Sequence, residues 1–248
     1  RGEQRAAQGR RAHDQGTERL SLLRNAAAAC ATILLAVAPA PAAPARDWSK
    51  VTSRTPAGAF VQGNPAAKVK LVEYFSLTCP HCAAVEGEAI PQLTAKYIRT
   101  GMVSYEVRHA LRDGFDFAAS MVARCNGPAA FFDLTPVLFA QQQAWMEKSA
   151  AWARESAPKE QLPPERLLPL LADGAGFATM LAGRGFTPQK VRDCAGNASE
   201  QKVLVAQAEE AWKRPGFPGT PAFLINGTLA TGVTNWATLD SALTAALK

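Results

Sequence analysis

Histidine and tyrosine are scarce in this 248-residue sequence, at three each, and its five cysteines include only one close pair. A structural zinc site usually takes four Cys or His ligands, commonly as two close pairs. Cys79 and Cys82 are one such pair, but Cys125 and Cys194 stand far apart, and beyond residue 45 the only histidines are His81 and His109. No metal site is expected. Long hydrophobic runs are also missing. The longest, residues 26–37, is short and rich in alanine, whereas a membrane span needs roughly 20 apolar residues. A strong charge excess is absent too. The formal net charge is +6, and residues 1–45 hold six Arg against three acids, leaving +3 for the rest. That mild, scattered balance reads as a solvated surface and excludes nucleic acid as a partner.

What is present is a hydrophobic fraction of 48%, enough for one good core in a chain of this length. Residues 1–18 show no apolar periodicity and are set aside. Arg19 and Arg24, the apolar run after them and the Ala43-Pro44-Ala45 site before Arg46 form the pattern of a cleaved secretory signal. Residues 1–45 are therefore expected to be a leader and signal peptide, and the protein to be exported. Cleavage removes Cys30 and leaves four cysteines, an even number compatible with full pairing in an oxidising compartment.

In the remaining chain, residues 50–58 can hold an edge strand and Gly63-Asn64-Pro65 a turn. Residues 69–75, VKLVEYF, read as a buried strand. From Cys79 the spacing of Val85, Ala89 and Leu93 is helical; Pro91 predicts a kink or break, and Gly101 an end. Val103, Tyr105 and Val107 then alternate as in a strand, completing a β-α-β unit. Between residues 115 and 214 no convincing strand appears, only helical segments, including one over 129–146. Strand character returns in PAFLING, Asn226-Gly227 makes a turn, and an amphipathic helix closes the chain. The expected fold class is α/β: a small sheet interrupted by an all-helical insertion. The boundaries are 46–111 and 215–248 for the sheet domain and 112–214 for the insertion.

The motif Cys79-Pro80-His81-Cys82 ends a strand and opens a helix. A sulfur there meets unpaired backbone N–H groups and the positive end of the helix dipole, which favour the thiolate. Such settings lower a cysteine pKa from about 8.5 to roughly 3.5–7.5. Pro80 suits the first helical position, which needs no N–H, and His81 is expected to stabilise the Cys79 thiolate further. Stabilising the thiolate stabilises the reduced form, so the Cys79–Cys82 disulfide should be oxidising. Glu73 lies inside an otherwise apolar strand. Burial would raise its pKa and let it exchange the proton that Cys82 loses on attacking a mixed disulfide. Thr220-Pro221 follows a Gly/Pro-rich loop and opens a strand. A cis bond is expected there, presenting the Thr220 backbone beside Cys79 to an extended substrate chain.

The stretches VEYFSLTCPHC and GTPAFLING, separated by helices, resemble the DsbA-like thiol:disulfide oxidoreductases of the thioredoxin superfamily. The resemblance covers about residues 48–248. It implies a thioredoxin fold with an inserted helical subdomain and oxidation of exported proteins in the bacterial periplasm. It makes Cys79 the exposed nucleophile, Cys82 the buried resolving cysteine and His81 the thiolate-stabilising residue. Glu73 becomes the buried acid below the site and Thr220-Pro221 the cis-proline loop. It also implies reduced, unfolded or partly folded exported proteins as substrates, reoxidation by a membrane partner of the DsbB type, a monomer, and no cofactor. Cys125 and Cys194, outside the core motif, are expected to form a structural disulfide; free buried thiols or intermolecular pairing are the alternatives. Two other activities use the same residues: a disulfide isomerase or reductase with the dithiol kept reduced, and a chaperone-like or metal-handling binding protein. Isomerases of this superfamily usually add a dimerisation segment, for which the stretch between the cleavage site and the catalytic strand is too short.

Overall fold

The computed structural model describes residues 46–248. The expected signal peptide and Cys30 lie outside the described residues. Elements run in the order β1 (Thr52–Arg54), β2 (Phe60–Gly63), β3 (Val69–Phe75), α1 (Pro80–Leu93), β4 (Val103–His109), then α2 (Gly114–Arg124), α3 (Gly127–Ala140), α4 (Gln142–Glu155), α5 (Pro164–Gly174), α6 (Phe177–Met180), α7 (Pro188–Ala195) and α8 (Ala198–Trp212), and finally β5 (Ala222–Ile225), β6 (Thr228–Ala230) and α9 (Trp236–Leu247). The six strands form one sheet in the order β1-β2-β4-β3-β5-β6. Only the central β3–β4 pair is parallel, as expected when a helix crosses between them.

β3 lies at the centre of the sheet between β4 and β5, is buried except at Lys70, and its alternation sorts its side chains between two apolar clusters. Val69, Leu71 and Phe75 join the main core, while Val72 and Tyr74 join a smaller cluster with Ala211, Ala222 and Leu224. Glu73 falls on the main-core face and is 3% exposed. Helices α1 and α9 cover that face of β3. Within the segment α2–α7, α5 packs against α2, α4, α6 and α7, while α3 lies against α1, β1 and β2 as well as α2. α8, at the end of the stretch 112–214, returns to the sheet: it packs along β4 and supplies Ala211 to the smaller cluster.

Three local features differ from the sequence reading. β2, which pairs with both β1 and β4, was not expected, since four residues with a glutamine and a glycine give too short a pattern. Pro91 does not break α1. The helix runs to Leu93 and passes into a π-wound turn over Thr94–Ile98. Gly101 then ends the unit with φ +80°; a Cβ there would lie 2.6 Å from the Trp48 ring. The helical run over 129–146 is split at Gln141 into α3 and α4. The Trp145 indole N–H bonds the Leu138 carbonyl oxygen at 2.9 Å, satisfying one acceptor that the split leaves free. At the far end of the sheet Asn226 and Gly227 both take positive φ, 50° and 85°, as a two-residue hairpin turn between β5 and β6 requires.

Cys125, just after α2, and Cys194 in α7 are disulfide-bonded, with Cα atoms 5.3 Å apart. Tying α7 to α2, the bond links the two ends of the helical segment.

Candidate active site

Cys79 caps the N-terminus of α1 with extended backbone angles, and Pro80 takes the first helical position. The Cys79 carbonyl oxygen accepts the first helical bond from Ala83 N–H at 3.1 Å. Cys79 and Cys82 are both buried free thiols, 2% and 1% exposed. Their protonation behaviour is opposite. Cys79 is pulled down to about 5, chiefly by a hydrogen bond from the Cys82 thiol, with help from Thr220 and the backbone N–H groups of Cys82 and His81 outweighing burial. Cys82 is pushed far up, first by burial, then by its bond to Cys79 and by the charges of Glu73 and Cys79. The geometry separates a thiolate from a retained thiol. His81 lies on the exposed side of the turn. It reaches Cys79 through its backbone N–H, and no hydrogen bond joins its ring to Cys79 among the described residues.

The Thr220–Pro221 peptide bond is cis. The Thr220 carbonyl oxygen lies 3.2 Å from Cys79 Sγ, so residues 141 apart in sequence meet at the sulfur.

Behind the dithiol, Glu73 accepts a short hydrogen bond from the Tyr105 hydroxyl. Burial raises Glu73 to about 7, against the lowering effect of that bond; the Cys79 charge adds to the rise. Glu86, one helical turn beyond Cys82, is raised to about 8 by burial and by Glu73. Both carboxyls, Tyr105, Ile90, Phe131 and Phe132 line a cavity of about 270 Å³. Sequence reasoning missed Tyr105 and Glu86 as site residues. Glu86 carried a signal, since positions i and i+4 of a helix share a face with Cys82.

Two further residues hold the catalytic loop. The Gln142 side-chain amide, at the start of α4, donates to the carbonyl oxygens of Leu77 at 2.8 Å and Cys79 at 3.0 Å. Asp116, fully buried in α2, accepts from the backbone N–H of Leu77 at 2.8 Å and of Arg112 at 2.9 Å. Burial raises its carboxyl to about 7 despite those bonds. Neither residue stands out in the sequence.

The dithiol at a strand-to-helix cap, faced by a cis-proline loop across a mixed sheet, is matched by a family model described as thioredoxin over residues 55–245. The chain belongs to the thioredoxin family. A structure of a protein-disulfide isomerase from Novosphingobium aromaticivorans is 30% identical, covers 76% of this chain and 96% of its own, and superposes with a TM-score of 0.67. The alpha-DsbA1 structure of Wolbachia pipientis shares the fold at 20% identity, with coverage of 75% and 89% and a TM-score of 0.59. A Rickettsia conorii protein named for protein-disulfide oxidoreductase activity is 32% identical over 206 residues, 83% of this chain. The chain spans 66% of that relative's length. At 30% identity or above, the chain is thus similar to proteins named for protein-disulfide chemistry.

Proposed function

We propose that the protein is an exported thiol:disulfide oxidoreductase that donates its Cys79–Cys82 disulfide to folding proteins. The observation that carries this reading is the opposite tuning of the two thiols: Cys79 near 5 and Cys82 far above a free thiol. A substrate thiolate attacks Cys79 Sγ; the new substrate–Cys79 bond forms as the Cys79–Cys82 bond breaks, and Cys82 leaves and takes a proton. Glu73, whose charge is felt at Cys82, is the nearest candidate to supply that proton. A second substrate thiolate then attacks the substrate sulfur, releasing oxidised substrate and Cys79 thiolate. Because that thiolate is stabilised, reduction of the enzyme is favoured and the disulfide is a donor. Thr220 offers its backbone to the substrate chain. Periplasmic export rests on the signal pattern of residues 1–45. Monomeric action and reoxidation by a membrane partner of the DsbB type follow from the family resemblance.

One observation favours a second reading: the 30%-identical relative is titled a protein-disulfide isomerase, and an isomerase would use the same dithiol kept reduced. The test is stoichiometric oxidation of a reduced, unfolded protein by the oxidised enzyme. A donor transfers its disulfide completely within one turnover, and Cys79→Ser abolishes transfer. Cys82→Ser, its Cys79 first capped with glutathione, releases glutathione to an attacking substrate thiolate and holds the substrate as a mixed disulfide. An enzyme that instead only reshuffles non-native disulfides, and only when reduced, is an isomerase.

A further inference from the structure

Besides its own helix and Gln142 of α4, two chain segments approach Cys79. One is Leu111-Arg112, just after β4; the other is residues 217–220, just before β5. Arg112 Nη1 donates to the carbonyl oxygen of Thr78, next to Cys79, at 3.4 Å, and the Thr220 carbonyl oxygen lies 3.2 Å from Cys79 Sγ. Trp212, the last residue of α8, joins these segments. Its indole N–H bonds the Leu111 carbonyl oxygen at 2.9 Å, and its ring packs edge-on against Phe217 at 5.2 Å. Nevertheless Trp212 remains 50% exposed, the most exposed of the large hydrophobic side chains among the described residues. An aromatic ring already fixed by a hydrogen bond loses little freedom on binding, which suits it to anchor a partner.

The charges around this ledge are mostly spoken for. Lys213 pairs with Glu209 at 2.8 Å, Arg214 with Glu210, and Arg108 with Glu106 and Glu210. The Asp113 carboxylate accepts from the Asp116 N–H and the Thr78 hydroxyl, both at 2.8 Å. Arg112 is exposed and has no carboxylate partner among the described residues. A rigid aromatic step and a guanidinium without a carboxylate partner therefore lie on the two segments that approach the reactive sulfur.

The geometry points to a substrate subsite here: the Trp212–Phe217 ledge and Arg112 favour polypeptides that carry a carboxylate side chain and an apolar residue close to the reacting cysteine. This rests on the disulfide-exchange reading and adds to it a preference among substrates. Arg112 recognises the carboxylate through its planar fork of donors, and Trp212 with Phe217 takes the apolar neighbour.

The test uses the oxidised protein and reduced peptides whose cysteine is flanked by Glu-Phe or by Lys-Phe, with 2-mercaptoethanol as a small neutral thiol. Rates of enzyme reduction are followed by rapid mixing. The acidic-to-basic rate ratio is compared between variants, so that differences in peptide thiol acidity cancel. Arg112→Gln is expected to lower that ratio by about threefold to tenfold, most at low salt. Trp212→Ala is expected to slow both peptides by about tenfold. The 2-mercaptoethanol rate stays unchanged in both variants. A ratio unaffected by Arg112→Gln overturns the proposal, as does a parallel change in the 2-mercaptoethanol rate, which would place Arg112's effect on Cys79 itself. Wild-type protein inert to 2-mercaptoethanol would instead sink the underlying disulfide-exchange reading.

Discussion

The side-chain amide of Gln142 donates a hydrogen bond to the backbone carbonyl oxygen of Cys79 over 3.0 Å, and a second to that of Leu77. The helical segment thereby grips the loop that carries the nucleophile. Gln142→Ala leaves buried acceptors without donors, and such losses cost about 1–3 kcal/mol. Urea unfolding is expected to show that loss, with Gln142→Glu at least as damaging because a carboxylate cannot donate.

Cys79 should govern the pH dependence of the reduced protein. Its pKa in the folded state is about 5, below that of a free thiol at about 8.5. A depressed acid contributes stability that is present above the unfolded pKa and lost as pH falls through the folded one. The reduced form should therefore gain stability over the oxidised form as pH rises from about 5 to about 8.5, and lose that advantage below. Paired thermal melts of the two forms across this range check the sign.

Glu73 acts in the opposite direction. Its pKa is raised from 4.5 to about 7 by burial, so its contribution is favourable below 4.5 and lost as pH rises through 7. Glu73→Gln should accordingly stabilise the protein near pH 8, by up to about 3 kcal/mol, and do little near pH 4. The same substitution should slow the attack of Cys82 on a glutathione-capped Cys79 by about tenfold or more, since an acid–base partner is lost. Equal stability changes at both pH values would contradict the assignment.

The Cys125–Cys194 disulfide spans 69 residues. Opening a loop of that length removes up to about 4 kcal/mol of chain-entropy stabilisation. The double variant Cys125→Ala/Cys194→Ala is expected to unfold at markedly lower denaturant with the dithiol motif intact, as thiol counting and guanidinium melts would show.

The sequence showed most clearly the features that depend on short-range pattern. β3, α1 and β4 follow from alternation and helical spacing, the thiol pair from its four-residue motif, and Glu73 from being the one carboxylate in an apolar strand. Long-range partners were not legible. Tyr105 stands on the inward face of β4, but its meeting with Glu73 depends on a parallel register that pairs Leu71 with Tyr105, and sequence does not set that register. Gln142 looks like any polar residue near a helix start until the split at Gln141 turns it onto the catalytic loop. Asp116 similarly reads as a first-turn acid of α2, yet it is buried and joins Leu77 to Arg112. Arg112 and Trp212 gave no signal, because their exposure and their long-range contacts with Thr78 and Leu111 depend on the fold.

Disulfide donation as proposed depends on Cys79 being a stabilised thiolate. The most direct measurement is the titration of Cys79 in the reduced protein, followed by thiolate absorbance and by alkylation rate against pH. A pKa near 5 is the predicted result. A value near that of free cysteine, about 8.5, would contradict the account and leave the dithiol without the property that drives disulfide donation.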